Sequence, residues 1–255
     1  MPTALVTGAT AGIGESFTRL LAAKGFDLVL VARDKKRLQE RANSLSKKYK
    51  VDVEVLQADL SVPAQLARVA KRLSNPKKPI EVLINNAGFG IKDSFLASNI
   101  ADELSLIDVL ARAPMQLMHS VLPQMLSRNS GTIINVSSVA SFIAGGTYSA
   151  AKSYLTVHTE SLHTELSNTN LNISALCPGF THTEFHQRGK MKMSGLPNFM
   201  WLEADRVVAD SWRAAMSGQA ICIPGWQYKI LSTIARFGPR PLVRKLGIKV
   251  RARQR

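Results

Sequence analysis

The strongest constraint on this chain is an alternation that repeats along most of its length: a short apolar run, a longer amphipathic stretch, then another short run. The short runs are ALVT (4–7), DLVLVA (27–32), VDVEVLQ (51–57), EVLIN (81–85), GTIINV (131–136), NISALC (172–177) and AICI (220–223). Between them, helical periodicity covers 13–24, a basic stretch ending near Tyr49, 102–128 and 147–168. Strand, helix, strand in this order predicts an α/β chain with one doubly wound parallel sheet and helices on both faces. The runs are rich in Val, Ile and Leu and lack polar alternation, as expected of strands covered on both sides. Pro114 and Pro123 interrupt the longest helical stretch and predict a kink or a break. With 255 residues, 45% of them apolar, the chain can bury one sizeable core, and no linker or repeat divides it. The one long irregular stretch is 178–202, and loops of that length usually serve function.

Cys177 and Cys222 lie in apolar runs outside any CxxC or Cys/His cluster, which predicts buried thiols in a reducing compartment. The opening MPTALVTG has no basic leader with an apolar segment, and no apolar run reaches the ~18 residues of a membrane span. A cytoplasmic location is therefore expected. The net charge of +15 is unevenly placed: residues 211–255 carry ten basic residues and no acid, two thirds of the excess. Residues 226–255 thus read as a basic extension of a domain spanning 1–225.

The first strand runs into Gly8, Gly12 and Gly14, after which a helix begins. Glycines there permit a tight turn and let backbone N–H groups approach a pyrophosphate at the positive end of the helix. The spacing departs from the general GxGxxG fingerprint, and a glycine-rich turn without a ligand is the competing reading. The second strand ends in Arg33, a side chain that suits the 2′-phosphate of NADP(H), where an acid would suit NAD(H). Asp34 stands at a helix N-cap position, and Lys35 and Lys36 read as a solvated helix face.

Tyr148 and Lys152 are four residues apart near the start of a helix, so they share one face. A tyrosine with an ordinary pKa near ~10 is a weak base at neutral pH, and a neighbouring ammonium favours its phenolate. Ser137 and Ser138 close the preceding strand, at the edge where ligands of open α/β sheets bind. Either hydroxyl could hold a substrate oxygen for proton transfer.

Five segments, TGATAGIG (7–14), NNAG (85–88), NVSS (135–138), YSAAK (148–152) and PGFTHT (178–183), occur in the order found in the short-chain dehydrogenase/reductase family, which the chain resembles over nearly its whole length. The resemblance implies a single Rossmann domain with about seven parallel strands. It implies Tyr148 as catalytic acid/base, Lys152 lowering its pKa and holding the nicotinamide ribose, and Ser138 stabilising substrate. It implies a cofactor, NADP(H), held by Gly8, Thr10, Gly12, Ile13, Gly14 and Arg33, with Asp59 and Leu60 flanking the adenine. Asn86, Ala87 and Gly88 would line the cofactor, and Pro178, Gly179 and Thr183 its nicotinamide end. The implied substrate is a carbonyl or alcohol, lipophilic if the apolar residues of 178–202 cover it. Homodimers or homotetramers would form through the helices around 102–128 and 147–168.

Two positions depart from the family. Leu110 stands where an asparagine commonly supports a water chain to the lysine, and the segment from Ser138 to Thr147 is a few residues short. A sensor or scaffold that binds NADP(H) with little turnover is therefore the alternative to an enzyme. His182 and His186 flank Glu184 without a third ligand at motif spacing, so no metal site is expected. His158 and His163 do not share a helix face and read as incidental. Trp226, Ile230, Ile234 and Phe237 form one helical stripe beside eight cations between Arg236 and Arg255. That stripe either packs over the substrate pocket or lies peripherally on an anionic membrane. Nucleic acid is the less expected partner, since no reading motif accompanies the charge.

Overall fold

The computed structural model describes residues 1–185, 197–241 and 243–244. Seven parallel strands form one sheet in the order β3-β2-β1-β4-β5-β6-β7. They are β1 (Thr3–Thr7), β2 (Asp27–Ala32), β3 (Val53–Gln57), β4 (Val82–Asn85), β5 (Gly131–Val136), β6 (Leu171–Leu176) and β7 (Ile221–Cys222). The order reverses between β1 and β4, the switch point at which open α/β sheets leave a crevice beyond their carboxyl ends. β1, β4 and β5 are central and almost wholly buried, which explains their Val/Ile/Leu content.

One face is covered by α1 (Gly12–Ala23) and α2 (Lys35–Tyr49), with α7 (Ala204–Met216) packed beside α1. Phe17, Leu21, Leu38, Val207 and Val208 fill that layer. The other is covered by α3 (Pro63–Leu73), α4 (Ile100–Ile107), α5 (Ala113–Ser127) and α6 (Thr147–Glu165), with Leu66, Leu73, Leu117, Val121 and Leu155 inward. α3 and α7 have no counterpart in the sequence reading. Pro63 opens α3, where a missing N–H costs nothing, and Leu66, Val69, Ala70 and Leu73 form its buried stripe. Cys177 and Cys222 are free and buried, as the sequence suggested.

The expected break near Pro114 takes a specific form. The helix continues from α4 through a π turn, Asp108–Arg112, in which the Ala113 N–H reaches the Asp108 carbonyl. Pro114, lacking an N–H, falls in the first turn of α5, while Pro123 lies inside α5 without ending it. Leu110 is thereby carried into the interior at 1% exposure.

A last element, α8 (Trp226–Phe237), corrects one expectation. The stripe of Trp226, Ile230, Ile234 and Phe237 is not its packing face: these residues are exposed, and Gln227, Tyr228, Ser232 and Ala235 are buried instead. No described helix is long and apolar enough to cross a membrane.

Candidate active site

At the end of β1 the chain turns through Gly8 at φ +66° and Gly12 at φ +56°, left-handed conformations that side chains rarely adopt. Gly14 is needed for space: a Cβ there would stand 2.3 Å from both the Gly8 carbonyl oxygen and the Asn86 amide nitrogen. A Cβ on Gly12 would stand 2.9 Å from the Thr183 side chain, so the segment after Pro178 lies directly on this turn. The N-cap of α1, Ala11, has no capping side chain, which keeps the first-turn N–H groups available to an anion. Thr10 is buried and Ile13 packs against the core beneath.

Across the switch point, Asn86 is a clamp between β4 and β1. Its side-chain amide donates to the carbonyls of Thr7 (2.9 Å) and Gly8 (3.2 Å), and the Thr7 hydroxyl accepts from the backbone N–H groups of Asn86 and Ala87. Gly88 allows close approach of Leu110, whose Cδ2 would meet an added Cβ at 2.8 Å. Asp59 accepts hydrogen bonds from the Ser61 backbone and hydroxyl, and Leu60 is buried.

Ser138, Tyr148 and Lys152 come together at the end of β5 and the start of α6. Ser138 lies on the Tyr148 side, where its hydroxyl favours the phenolate, whereas Ser137 is turned inward, donating to the Lys152 carbonyl at 2.9 Å and sharing a 2.7 Å hydrogen bond with Thr156. Of the two serines, Ser138 is thus the one that faces the tyrosine. The Lys152 ammonium donates to the Val136 carbonyl at 2.5 Å and stands 5.9 Å from the centre of the Tyr148 ring. Burial pushes the Tyr148 phenol up to about 12 against the opposing pull of the nearby Ser138 hydroxyl, and burial lowers Lys152 to about 8. Without cofactor, desolvation therefore outweighs the phenolate-favouring effect expected of the ammonium. Lys152 lines a small cavity of about 10 Å³ together with Asn85, Leu110 and Val136 among others, and the Asn85 side-chain oxygen, buried, has no hydrogen-bond partner.

At the end of β2, Arg33 is exposed, and Asp34 caps α2 by accepting from the Arg37 N–H at 3.0 Å. Lys35 and Lys36 are exposed, as expected of a solvated face. Arg37 is different: its guanidinium forks onto Glu184 at 2.8 and 3.1 Å and reaches the Thr10 carbonyl at 3.5 Å, tying the segment after Pro178 to the glycine turn. The Glu184 interaction raises the Arg37 pKa further.

The segment after Pro178 has a second anchor that sequence reasoning missed. The Tyr228 ring lies on Gly179, where an added Cβ would fall 2.0 Å from the ring, and its hydroxyl accepts from the Phe180 N–H and donates to the Met200 carbonyl. Thr181 and Leu202 form a bridge that joins the two ends of the segment. Phe185 reaches the Tyr148 ring, with centroids 6.1 Å apart. Met191, Met193 and Leu196, expected in the pocket cover, lie outside the described residues, as does His186. His182 stacks on Trp201 at 4.7 Å and lies 3.8 Å from Glu203, while His158 stacks on Tyr154 and His163 meets the Ile173 carbonyl.

Comparison with known proteins agrees with this architecture. An NADP-dependent 3-hydroxy acid dehydrogenase of Schizosaccharomyces pombe is 36% identical over 189 residues, 72% of this chain and 73% of the relative. A short-chain dehydrogenase from Sphingobium yanoikuyae, solved with NADPH, superposes with a TM-score of 0.84 at 34% identity, covering 91% of this chain and 93% of that one. A ketone-specific alcohol dehydrogenase from Comamonas testosteroni gives a TM-score of 0.80 at 29% identity, with 91% of each chain covered. The family model for short chain dehydrogenases matches residues 2–193, and the chain belongs to that family of oxidoreductases.

Proposed function

We propose that this protein is an NADP(H)-dependent oxidoreductase that interconverts a carbonyl and an alcohol, with Tyr148 as the proton donor and acceptor. The observation that carries this reading is the convergence of Ser138, Tyr148 and Lys152 beside a glycine turn whose backbone leaves no room for side chains. That cradle fits a dinucleotide: Gly8, Gly12 and Gly14 with the α1 N-terminus suit the pyrophosphate, and Arg33 suits a 2′-phosphate. Thr10 and Ile13 would complete the turn, Asp59 and Leu60 would flank the adenine, and Asn86 to Gly88 with Pro178, Gly179 and Thr183 would line the rest. When bound, the nicotinamide supplies or accepts the hydride. The NADP-dependent yeast relative and the NADPH-bound Sphingobium structure support the same cofactor.

In the reducing direction, the Tyr148 phenol donates its proton to the substrate carbonyl oxygen as the carbonyl carbon gains a hydride, leaving an alcohol and a phenolate. A phenol held near 12 is fully protonated at neutral pH, so the donor is in place before reaction. The Ser138 hydroxyl hydrogen-bonds the substrate oxygen, and the Lys152 ammonium stabilises the phenolate that forms. Phe180, Phe185, Phe199, Met200 and Trp201 give the substrate side an apolar character that suits a lipophilic molecule. Exposed Ile100, Leu104 and Val157 on α4 and α6 support self-association through those helices.

The test is NADPH oxidation against a panel of aldehydes and ketones by the unmodified protein and by Tyr148→Phe. The substitution is expected to lower kcat by roughly 10²–10⁴-fold with NADPH binding retained. Unchanged turnover in Tyr148→Phe would sink the catalytic assignment. Tight NADPH binding with no turnover on any carbonyl would favour a sensor, the reading to which Leu110 beside Lys152 points.

A further inference from the structure

α8 is amphipathic in the reverse sense to the helices that cover the sheet. Trp226, Ile230, Ile234 and Phe237 form one outward stripe, exposed by 68, 53, 44 and 82%. The inward face, Gln227, Tyr228, Ser232 and Ala235, is the more polar one and is held by specific bonds, including Gln227 Nε2 to the Phe199 carbonyl at 2.9 Å. Lys229 and Arg236 border the stripe, and Arg240 and Arg244 follow it, all four exposed. The sequence continues through Lys245, Lys249, Arg251, Arg253 and Arg255, and no acid occurs after Asp210. This region lies outside the residues matched by the family model, which end at 193.

An apolar stripe with aromatic residues at both ends and a cationic border is the chemistry of a helix lying in the headgroup layer of an anionic bilayer. We propose that α8, with the exposed cations Lys229, Arg240 and Arg244 beside and after its stripe, docks this protein on a membrane surface rich in anionic lipid. A second copy of the chain is a poorer occupant, because pairing two such faces brings cations against cations. Nucleic acid would use the cations but leave the Trp, Ile and Phe side chains without a role.

The position of α8 gives the docking a consequence. Arg236 stacks over the Phe142 ring at 5.3 Å and pairs with Glu160 at 3.7 Å, which fixes the helix beside the short turn that follows Ser138. Phe199, 60% exposed, is tied to α8 through its carbonyl, which accepts from Gln227. Docking would therefore set the substrate side against the bilayer, a route for lipid-dissolved substrates. The surface itself does not depend on turnover, so its test is separate from the catalytic one.

Co-sedimentation of the full chain with vesicles of phosphatidylcholine alone, or of phosphatidylcholine with phosphatidylglycerol, reads the proposal directly. Binding to the anionic vesicles is expected to be about tenfold or more tighter, and to weaken as salt is raised. Ile230→Glu combined with Phe237→Glu is expected to remove that preference while the circular dichroism spectrum and NADPH binding stay unchanged, since both side chains are exposed. Equal binding to the two vesicle types, or binding untouched by the double substitution, would overturn the proposal. So would a change in oligomeric state of the double variant without lipid, or duplex DNA binding that competes with the vesicles and survives the substitution.

Discussion

At the turn after β1, a methyl group added to Gly14 would find a backbone oxygen at 2.3 Å, whereas on α8 five large apolar side chains, Leu231 among them, stand 44–82% exposed. The first region is over-determined. Thr7, Gly8 and Asn86 hold one another by hydrogen bonds between β1 and β4, and no atom can be added without moving main chain. The second is held from beneath by Tyr228 and Gln227, and the large apolar side chains of its upper surface stay about half or more exposed. The site thus has a rigid floor, where a cofactor would lie, and a rim whose composition is free of folding constraints.

The sharpest way to break this contrast is Gly14→Ala. Because the obstructing atoms are backbone, the fold must shift to admit the methyl group, at a cost of about 3 kcal/mol. For a chain of this size that lowers Tm by roughly 6 °C, readable by calorimetry. NADPH binding is expected to be lost in the same variant. A Tm within a degree or two of the unmodified protein would show that the floor yields, and the contrast with the rim would fail.

A smaller effect concerns charge on the same floor. Burial lowers the Lys152 ammonium to about 8, so it is fully charged below that pH and is lost as pH rises through it. The kcat/KM for carbonyl reduction is therefore expected to be flat from about pH 6 to about pH 7, to be halved near about pH 8 and to fall up to tenfold per pH unit above. Lys152 binds fewer protons folded than unfolded between about 8 and 10.5, so its burial penalty on stability, full below pH 8, is relieved as pH rises through that window. A profile that stays flat to about pH 10 would mean that cofactor or substrate restores the ordinary lysine value.

The floor was also the more legible region in the sequence. Glycine spacing, the serines ending β5 and the Tyr148–Lys152 pair are local patterns, and the alternation of runs gave the parallel sheet without knowledge of strand order. What stayed hidden depended on partners far along the chain. No local pattern marks Arg37 as the partner of Glu184, which lies 147 residues away and folds against it. Tyr228 reads as an ordinary helix residue until its ring is seen on Gly179. For α8 the periodicity identified the apolar stripe correctly but carried no information on which side the protein lies. The inward side is marked by Tyr228, whose ring is buried in the core and on Gly179, and by the hydrogen bonds of Tyr228 and Gln227.

That last point yields the smallest expected effect. If the stripe of α8 has no part in folding, Trp226→Ala, at the edge of the stripe and 68% exposed, should change stability by no more than about 0.5 kcal/mol in denaturant titrations. A buried tryptophan truncated in this way would cost about 3–5 kcal/mol, so the two cases are well separated. Tyr228→Phe provides the internal control on the same helix. It keeps the ring on Gly179 but removes the hydroxyl that links Phe180 and Met200, leaving a carbonyl and an N–H short of a partner, at a cost of about 1–3 kcal/mol. A loss for Trp226→Ala equal to or greater than that for Tyr228→Phe would place the stripe in the folded core and take away the reason to look for a partner outside it.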